Sequence, residues 1–212
     1  PGGNQFADFE SFNIAVDETV RIQQTSEQSR FLARVTGSSV SQINGRLIAN
    51  GQFYLVNPSG IIFGSGAVVE AAKLNAIAGV LSNEDFVNGT DHFSALLGPV
   101  ENAGSVDAGQ IVLAGSSVAN SGNLKSSAGE VVLGAGGSMT LSSADGFLSV
   151  SVSTESTAPL GAATDLIGQT LLNSGIIEAQ ETHLLGNQIT HTGTVDSEKV
   201  ILSDFNEVIA TS

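Results

Sequence analysis

Apolar residues recur along this chain in short clusters set apart by asparagine, serine and glycine. Asn102-Ala103-Gly104-Ser105-Val106 is followed by Ile111-Val112-Leu113, and Asn120-Ser121-Gly122-Asn123-Leu124 by Val131-Val132-Leu133. The two asparagines are 18 residues apart. The phrase returns as Asn173-Ser174-Gly175-Ile176-Ile177 and, after another 18 residues, as His191-Thr192-Gly193-Thr194-Val195 ahead of Val200-Ile201-Leu202. A unit this short cannot bury its apolar face alone and must stack on its neighbours, which predicts a solenoid. Two or three short strands per unit predict a parallel β-helix with coils about 4.8 Å apart and alternate side chains pointing inward. Val106, Leu124, Ile177 and Val195 then form one apolar column; Ile111 or Leu113 continues into Val131 or Leu133 as another. Asn102, Asn120, Asn173 and His191 share one position, where a left-handed turn or an amide-to-amide ladder suits asparagine.

The 53 residues from Asn120 to Asn173 come close to three such units without repeating cleanly. Met139-Thr140-Leu141 and Phe147 to Val152 flank Asp145-Gly146, a favourable hairpin pair, and Ser153 to Ala163 is polar and small. A hairpin and loop projecting from the solenoid are expected there. Ala67 to Leu81 is helix-forming by propensity around Glu70-Ala71-Ala72-Lys73, but Gly66 and Gly79 flank it, and two short strands with a turn are expected. Phe6, Phe9, Phe12 and Phe31 crowd the start of the chain and are expected to cap the open end of the solenoid. The organisation predicted is one domain. Its cap covers about 1–40, its coils about 41–140 and 171–212, and its hairpin and loop about 141–170.

From Ile43 to Gly64 the chain reads strand, tight turn, strand, turn, strand. Gly45, Gly51 and Gly60 are expected to supply backbone angles closed to other residues, with Pro58 fixing the bend after Asn57. This block, Asn57-Pro58-Ser59-Gly60-Ile61 following Ala49-Asn50-Gly51-Gln52 and preceding Phe63-Gly64, resembles the N-terminal secretion domain of filamentous haemagglutinin-type exoproteins. Ser59 stands where that family typically has asparagine. Ser11-Phe12-Asn13-Ile14, Arg34-Val35-Thr36-Gly37 and Asn173-Ser174-Gly175-Ile176-Ile177-Glu178-Ala179 extend the resemblance over most of the chain. It implies an all-β fold, a right-handed parallel β-helix with an N-terminal cap and an extrahelical β-hairpin. It also implies two-partner secretion from a Gram-negative bacterium, through the periplasm to the cell surface or medium. The expected partners are an outer-membrane β-barrel transporter of the Omp85 type with periplasmic POTRA domains, and the downstream region of a larger exoprotein, with folding outside the cell nucleated here. Asn57, Pro58, Ser59, Gly60 and Ile61 become candidates for transporter recognition or nucleation. The alternative is that Asn57 and Pro58 cap a turn.

Charge narrows the partners. Against 21 Asp+Glu stand 7 Lys+Arg, for a net charge of −14, which disfavours nucleic acid and anionic membrane surfaces. A soluble monomer is the expectation. With no cysteine, packing and hydrogen bonds must hold the fold. No apolar run reaches the length of a membrane span, and no signal peptide is visible. A chain opening at Pro1 is expected to be a mature or trimmed fragment.

Catalytic signatures are missing. Gly134-Ala135-Gly136-Gly137 lacks the spacing of a dinucleotide loop, and His92, His183 and His191 lack the spacing of a helical zinc site. No cofactor, metal or catalytic residue is expected. Two rivals follow from the same residues. One is an adhesin module binding glycan or host surface, disfavoured by the absence of tryptophan and a single tyrosine, Tyr54. The other is a polysaccharide-active β-helix enzyme, which needs closely placed carboxylates. Glu84, Asp85, Asp91, Glu101, Asp107, Glu178 and Glu181 are scattered, and solvated outward positions are expected for them.

Overall fold

The computed structural model describes residues 3–144, 147–153 and 169–210. Strand β1 (Gln5–Phe9) precedes the first full coil, formed by β2 (Thr19–Ile22), β3 (Arg30–Val35) and β4 (Ser41–Ile43). The second coil is β5 (Arg46–Val56), which rounds a corner unbroken, and β6 (Ile61–Phe63). The third begins with β7 (Val68–Ile77), leaves the stack through helix α1 (Asn83–Asn88) and strand β8 (Asp91–Phe93), and closes on β9 (Pro99–Asn102). The fourth is β10 (Ser105–Ala108), β11 (Ile111–Gly115) and β12 (Ser117–Asn120). The fifth opens as β13 (Asn123–Ala135), departs through β14 (Ser138–Ala144) and β15 (Phe147–Ser153), and returns as β16 (Thr170–Asn173). The sixth and seventh are single bent strands, β17 (Ile176–His191) and β18 (Thr194–Ala210).

Pairing between coils is parallel, and it sorts the strands onto the sides of a three-sided β-helix. One side runs β2, β5, β7, β10, β13, β17, β18. The next runs β1, β3, β5, β7, β11, β13, β17, β18. The last runs β4, β6, β9, β12, β16, β17, β18. Register shifts between Ala49 and Gln52, Ser126 and Glu130, and Gly186 and Gln188 mark corners where a strand bends onto the next side.

Side-chain alternation then builds two cores. Inward residues such as Phe53, Leu55, Leu74, Ile111, Leu113, Val131, Leu133 and Leu184 fill the helix lumen. Val106, Leu124, Ile177 and Val195 stack in one column, joined at its N-terminal end by Leu47 and Val69. Outward residues of the middle side, Leu32, Tyr54, Val56, Ile77, Val112 and Val132, are apolar too, which alternation alone does not require. They are covered by both excursions: β8, β14 and β15 form an antiparallel sheet, and Phe86, Phe93, Met139 and Leu141 pack from it and from α1 onto the helix wall.

Several expectations change. The segment around Glu70-Ala71-Ala72 is one strand, β7, pairing with β5 across a corner irregularity, because inward Val69, Leu74 and Ala76 hold it in the stack over its helix propensity. As the irregular spacing of the 53 residues before Asn173 implied, they hold one coil and an excursion: Asn120 and Asn173 lie opposite each other on adjacent coils. The predicted hairpin is present as β14 and β15, while Asp145-Gly146 and most of Ser153 to Ala163 lie outside the described residues. Of Gly45, Gly51 and Gly60, only Gly60 has a positive φ, at 121°. Gly45 is needed instead because a Cβ there would collide with the carbonyls of Ala15 and Glu18.

Candidate functional site

The Asn57 turn is built inside the molecule. Asn57 is fully buried. Its Oδ1 accepts the Ser59 amide at 3.0 Å, closing an Asx turn, and its Nδ2 donates to Ser39 O and Ser41 Oγ, each at 3.0 Å. The Asn57 amide donates to Ile77 O and its carbonyl accepts from Gly60, each at 3.0 Å. One residue therefore ties the second coil to the first and to the third. Ile61, fully buried, anchors the far side of the turn in the lumen. Pro58 and Ser59 are half-buried and form its outer lip. Gly98 lies against that lip so closely that a Cβ would reach Gly60 N at 2.5 Å and Pro58 O at 2.7 Å.

Asn102, Asn120, Asn173 and His191 form a continuous inner column on the last side of the helix. Asn102 Nδ2 donates to Asn120 Oδ1 at 2.9 Å, and Asn120 Nδ2 to Asn173 Oδ1 at 2.8 Å. Asn173 Nδ2 meets His191 Nδ1 at 3.0 Å. The three asparagines are buried, and none has the left-handed backbone that the sequence left open. Amide pairing between coils is what the position uses. The glycine two residues later has its own reason: a Cβ on Gly122 would collide with the Gly104 carbonyl, one on Gly175 with that of Gly122, and one on Gly193 with that of Gly175.

A third cluster is invisible in the sequence because its members come from distant segments. Arg30, only 10% exposed in its side chain, donates to Tyr54 Oη at 3.0 and 3.1 Å, to Phe86 O and to Asp91 Oδ1 at 2.6 Å. Its guanidinium also lies 4.7 Å from the Tyr54 ring centre and 4.6 Å from that of Phe86. Lys73 reaches the other Asp91 oxygen at 3.3 Å. Burial, and after it the Asp91 carboxylate, pushes the Tyr54 phenol far above its ordinary value, against the opposing pull of Arg30. The cluster bolts α1 and β8 onto the first three coils.

Below it the same flank continues with Gln110, Glu130, Glu181 and Lys199, in register from coil to coil. Glu181 Oε1 accepts from Lys199 at 2.9 Å. The buried His183 Nε2 also lies 2.9 Å from that oxygen. His183 faces a cleft of about 460 Å3 between β15 and the last coils.

The remaining acids do not converge. Glu84 and Asp85 occupy the first turn of α1, where Ser82 caps the helix and also donates to Asp85 at 2.6 Å. Asp91 is consumed by Arg30 and Lys73; Glu178 faces outward and pairs with Lys125 at 3.7 Å. Asp107 and Glu101 are exposed on different sides. His92 bonds Thr140 across the excursion sheet at 2.8 Å. Among the described residues no group of three or more His, Asp or Glu is placed to hold a metal ion.

Comparison with known proteins accounts for this architecture. The chain superimposes on the crystal structure of the HMW1 secretion domain from Haemophilus influenzae with a TM-score of 0.83 and 26% identity, over 97% of this chain and 57% of that one. It is 31% identical over 190 residues to a heme/hemopexin-binding protein of Haemophilus influenzae strain Rd, covering 84% of this chain and 20% of that protein. A second heme/hemopexin-binding protein of Haemophilus influenzae is 42% identical over 69 residues. The chain thus spans about a fifth of the length of the longer-matching curated relative. The match to the family of TPS secretion domains runs over residues 1–209, and the chain belongs to that family, the secretion domains of two-partner exoproteins.

Proposed function

We propose that this domain is the part of a larger exoprotein that a cognate Omp85-type outer-membrane barrel recognises, through POTRA domains on its periplasmic side. It then nucleates β-helix folding outside a Gram-negative cell. Membership of the secretion-domain family along nearly the whole chain is the observation that carries this reading. The cargo that follows decides what the whole exoprotein does. Folding supplies directionality: each coil stacked on the first ones buries lumen residues only after it has emerged, so release of free energy lies on the far side.

Within this reading the Asn57 turn has divided labour. Buried Asn57 acts as the knot that sets the second coil against the first and third, and Pro58 with Ser59 presents the outward lip. Fusing the domain behind a signal peptide, with and without its barrel, tests both halves. Barrel-dependent appearance in the medium is expected for wild type. Asn57→Ala is expected to lower both export and thermal stability, whereas Pro58→Ala and Ser59→Ala lower export with little loss of stability. Release that ignores the barrel would sink the secretion reading. Export of both lip variants at the wild-type level would leave Asn57 a structural knot alone.

A further inference from the structure

We infer that the sixth coil, β17, is an acid-sensitive joint: acidification loosens the last two coils and the contact of β15 with them, while the first coils stay closed. Two histidines on this one strand carry the inference, from opposite sides of the wall.

His191 ends the amide ladder, and the ladder has a direction. The Gly104 amide donates to the inner side-chain atom of Asn102 at 3.2 Å, and a backbone N–H can only donate, so that atom is Oδ1. The Asn102 amide nitrogen therefore faces Asn120, and the same order propagates through Asn173. His191 Nδ1 must accept from Asn173 Nδ2, which requires a neutral ring with its proton on Nε2. A second proton would set N–H against N–H at this last, half-buried rung. Opposite His191 stand Asn173 on β16 and Ala210 on β18, neither of which titrates; the nearest acid in register on β18 is Glu207, opposite Gln188.

His183 points outward, with a side chain only 4% exposed and its Nε2 2.9 Å from Glu181 Oε1. Val132 of β13 and Ile201 of β18 lie beside it in register, and Ser149, Val150, Ser151 and Val152 of β15 face it across the cleft. Its charged surroundings are Glu181 on its own strand, Lys199 from β18 and Glu130 from β13. Burial outweighs the attraction of Glu181 and holds the imidazole below its ordinary value of 6.5. The sign follows: an opened coil binds the proton more readily than the closed one. Closure is therefore fully favoured above the ordinary imidazole value and weakens as pH falls below it. The direction of the ladder at His191 and the burial of His183 are independent of each other.

Residue-resolved hydrogen exchange of the 212-residue chain at pH 7.5 and 5.5, corrected for intrinsic rates, tests the joint; the lower pH still leaves ordinary carboxylates charged. Protection in β17 and β18 should fall by up to roughly tenfold per pH unit below the ordinary imidazole value, with β3, β5 and β7 unchanged. The double variant His183→Val with His191→Asn, which keeps an apolar neighbour for Val132 and an amide rung for Asn173, should stay protected. Unchanged protection of β17 and β18 in wild type at pH 5.5 would overturn the inference, as would equal loss in the double variant. Nitrogen-15 spectra give a check that needs no variant: a proton found on His191 Nδ1 at neutral pH would refute the ladder's direction.

Discussion

The inner column of the last side is filled in two different ways along one molecule. In the first two coils it carries Ile43 and Phe63; from the third coil onward it carries Asn102, Asn120, Asn173 and His191. The N-terminal coils fill the lumen by shape. Phe9 and Phe12 meet edge to face at 5.4 Å, and Phe53 lies 6.0 Å from Phe12 and 6.1 Å from Phe31. The C-terminal coils fill the same position with a directional hydrogen-bonded ladder. Aromatic packing is strong and tolerant of register; an amide ladder is weaker per rung, yet accepts only one register because a slip would leave buried amides unpaired. An array that grows coil by coil gains from both, a stable start and a self-aligning continuation.

Removing volume from the first region should produce the largest effect. Phe53 is fully buried between Phe12 and Phe31. Phe53→Ala is expected to cost about 3–5 kcal/mol, read from denaturant unfolding. A loss below about 1 kcal/mol would mean that the aromatic start is not the stable part. Next comes the bolt on the outer wall. Arg30→Met leaves Asp91 with Lys73 and the Tyr54 hydroxyl, so the cost should be about 2–3 kcal/mol, short of that for an ion left wholly unpaired. Exchange should rise most in α1 and β8, which Arg30 fastens.

The ladder should respond less than either. Asn120→Ala leaves Asn173 Oδ1 without its partner and Asn102 Nδ2 with only the Gly104 carbonyl, and should cost about 1–3 kcal/mol. Asn120→Leu replaces only one member and should do no better, because Asn173 Oδ1 stays buried and loses its partner. Recovery of wild-type stability by Asn120→Leu would show that the position needs volume alone, and the contrast between the regions would collapse.

The ladder was legible in the sequence because the repeat is local: an interval of 18 residues places Asn102 on Asn120 and Asn173 on His191 with nothing inserted. The apolar columns were legible for the same reason. Both excursions obscured it. The hairpin before Asn173 showed through Asp145-Gly146 set between Met139-Thr140-Leu141 and Phe147 to Val152, but α1 and β8 did not, since Asn83 to Phe93 is short and polar and its packing depends on Tyr54 and Arg30, far away in sequence. The outward apolar residues of the middle side were the available clue. Val112 beside Leu113 and Val132 beside Leu133 are too many apolar positions for a wall facing water, and they imply a cover. The Asn57 block announced a turn, yet its burial could not be read locally, because Ser39, Ser41, Ile77 and Gly98 enclose it from neighbouring coils.

The smallest predicted effect isolates environment from chemistry. Arg46 and Glu70 form an ion pair across adjacent coils, whereas Arg30 of the first coil pairs with Asp91 of the excursion from the third; the Arg46 and Glu70 side chains are 50% and 47% exposed against 10% and 12%. Water screens the outer pair and keeps both ions solvated when they part, whereas the inner pair also carries two ring contacts and a bond to Phe86 O. Arg46→Ala should therefore change stability by no more than about 1 kcal/mol, and less as salt rises. Arg30→Met should keep most of its cost at high salt. Equal losses in the two variants, or a salt-insensitive loss at Arg46, would mean that the parallel wall itself, and not burial beneath the excursion sheet, gives these arginines their weight.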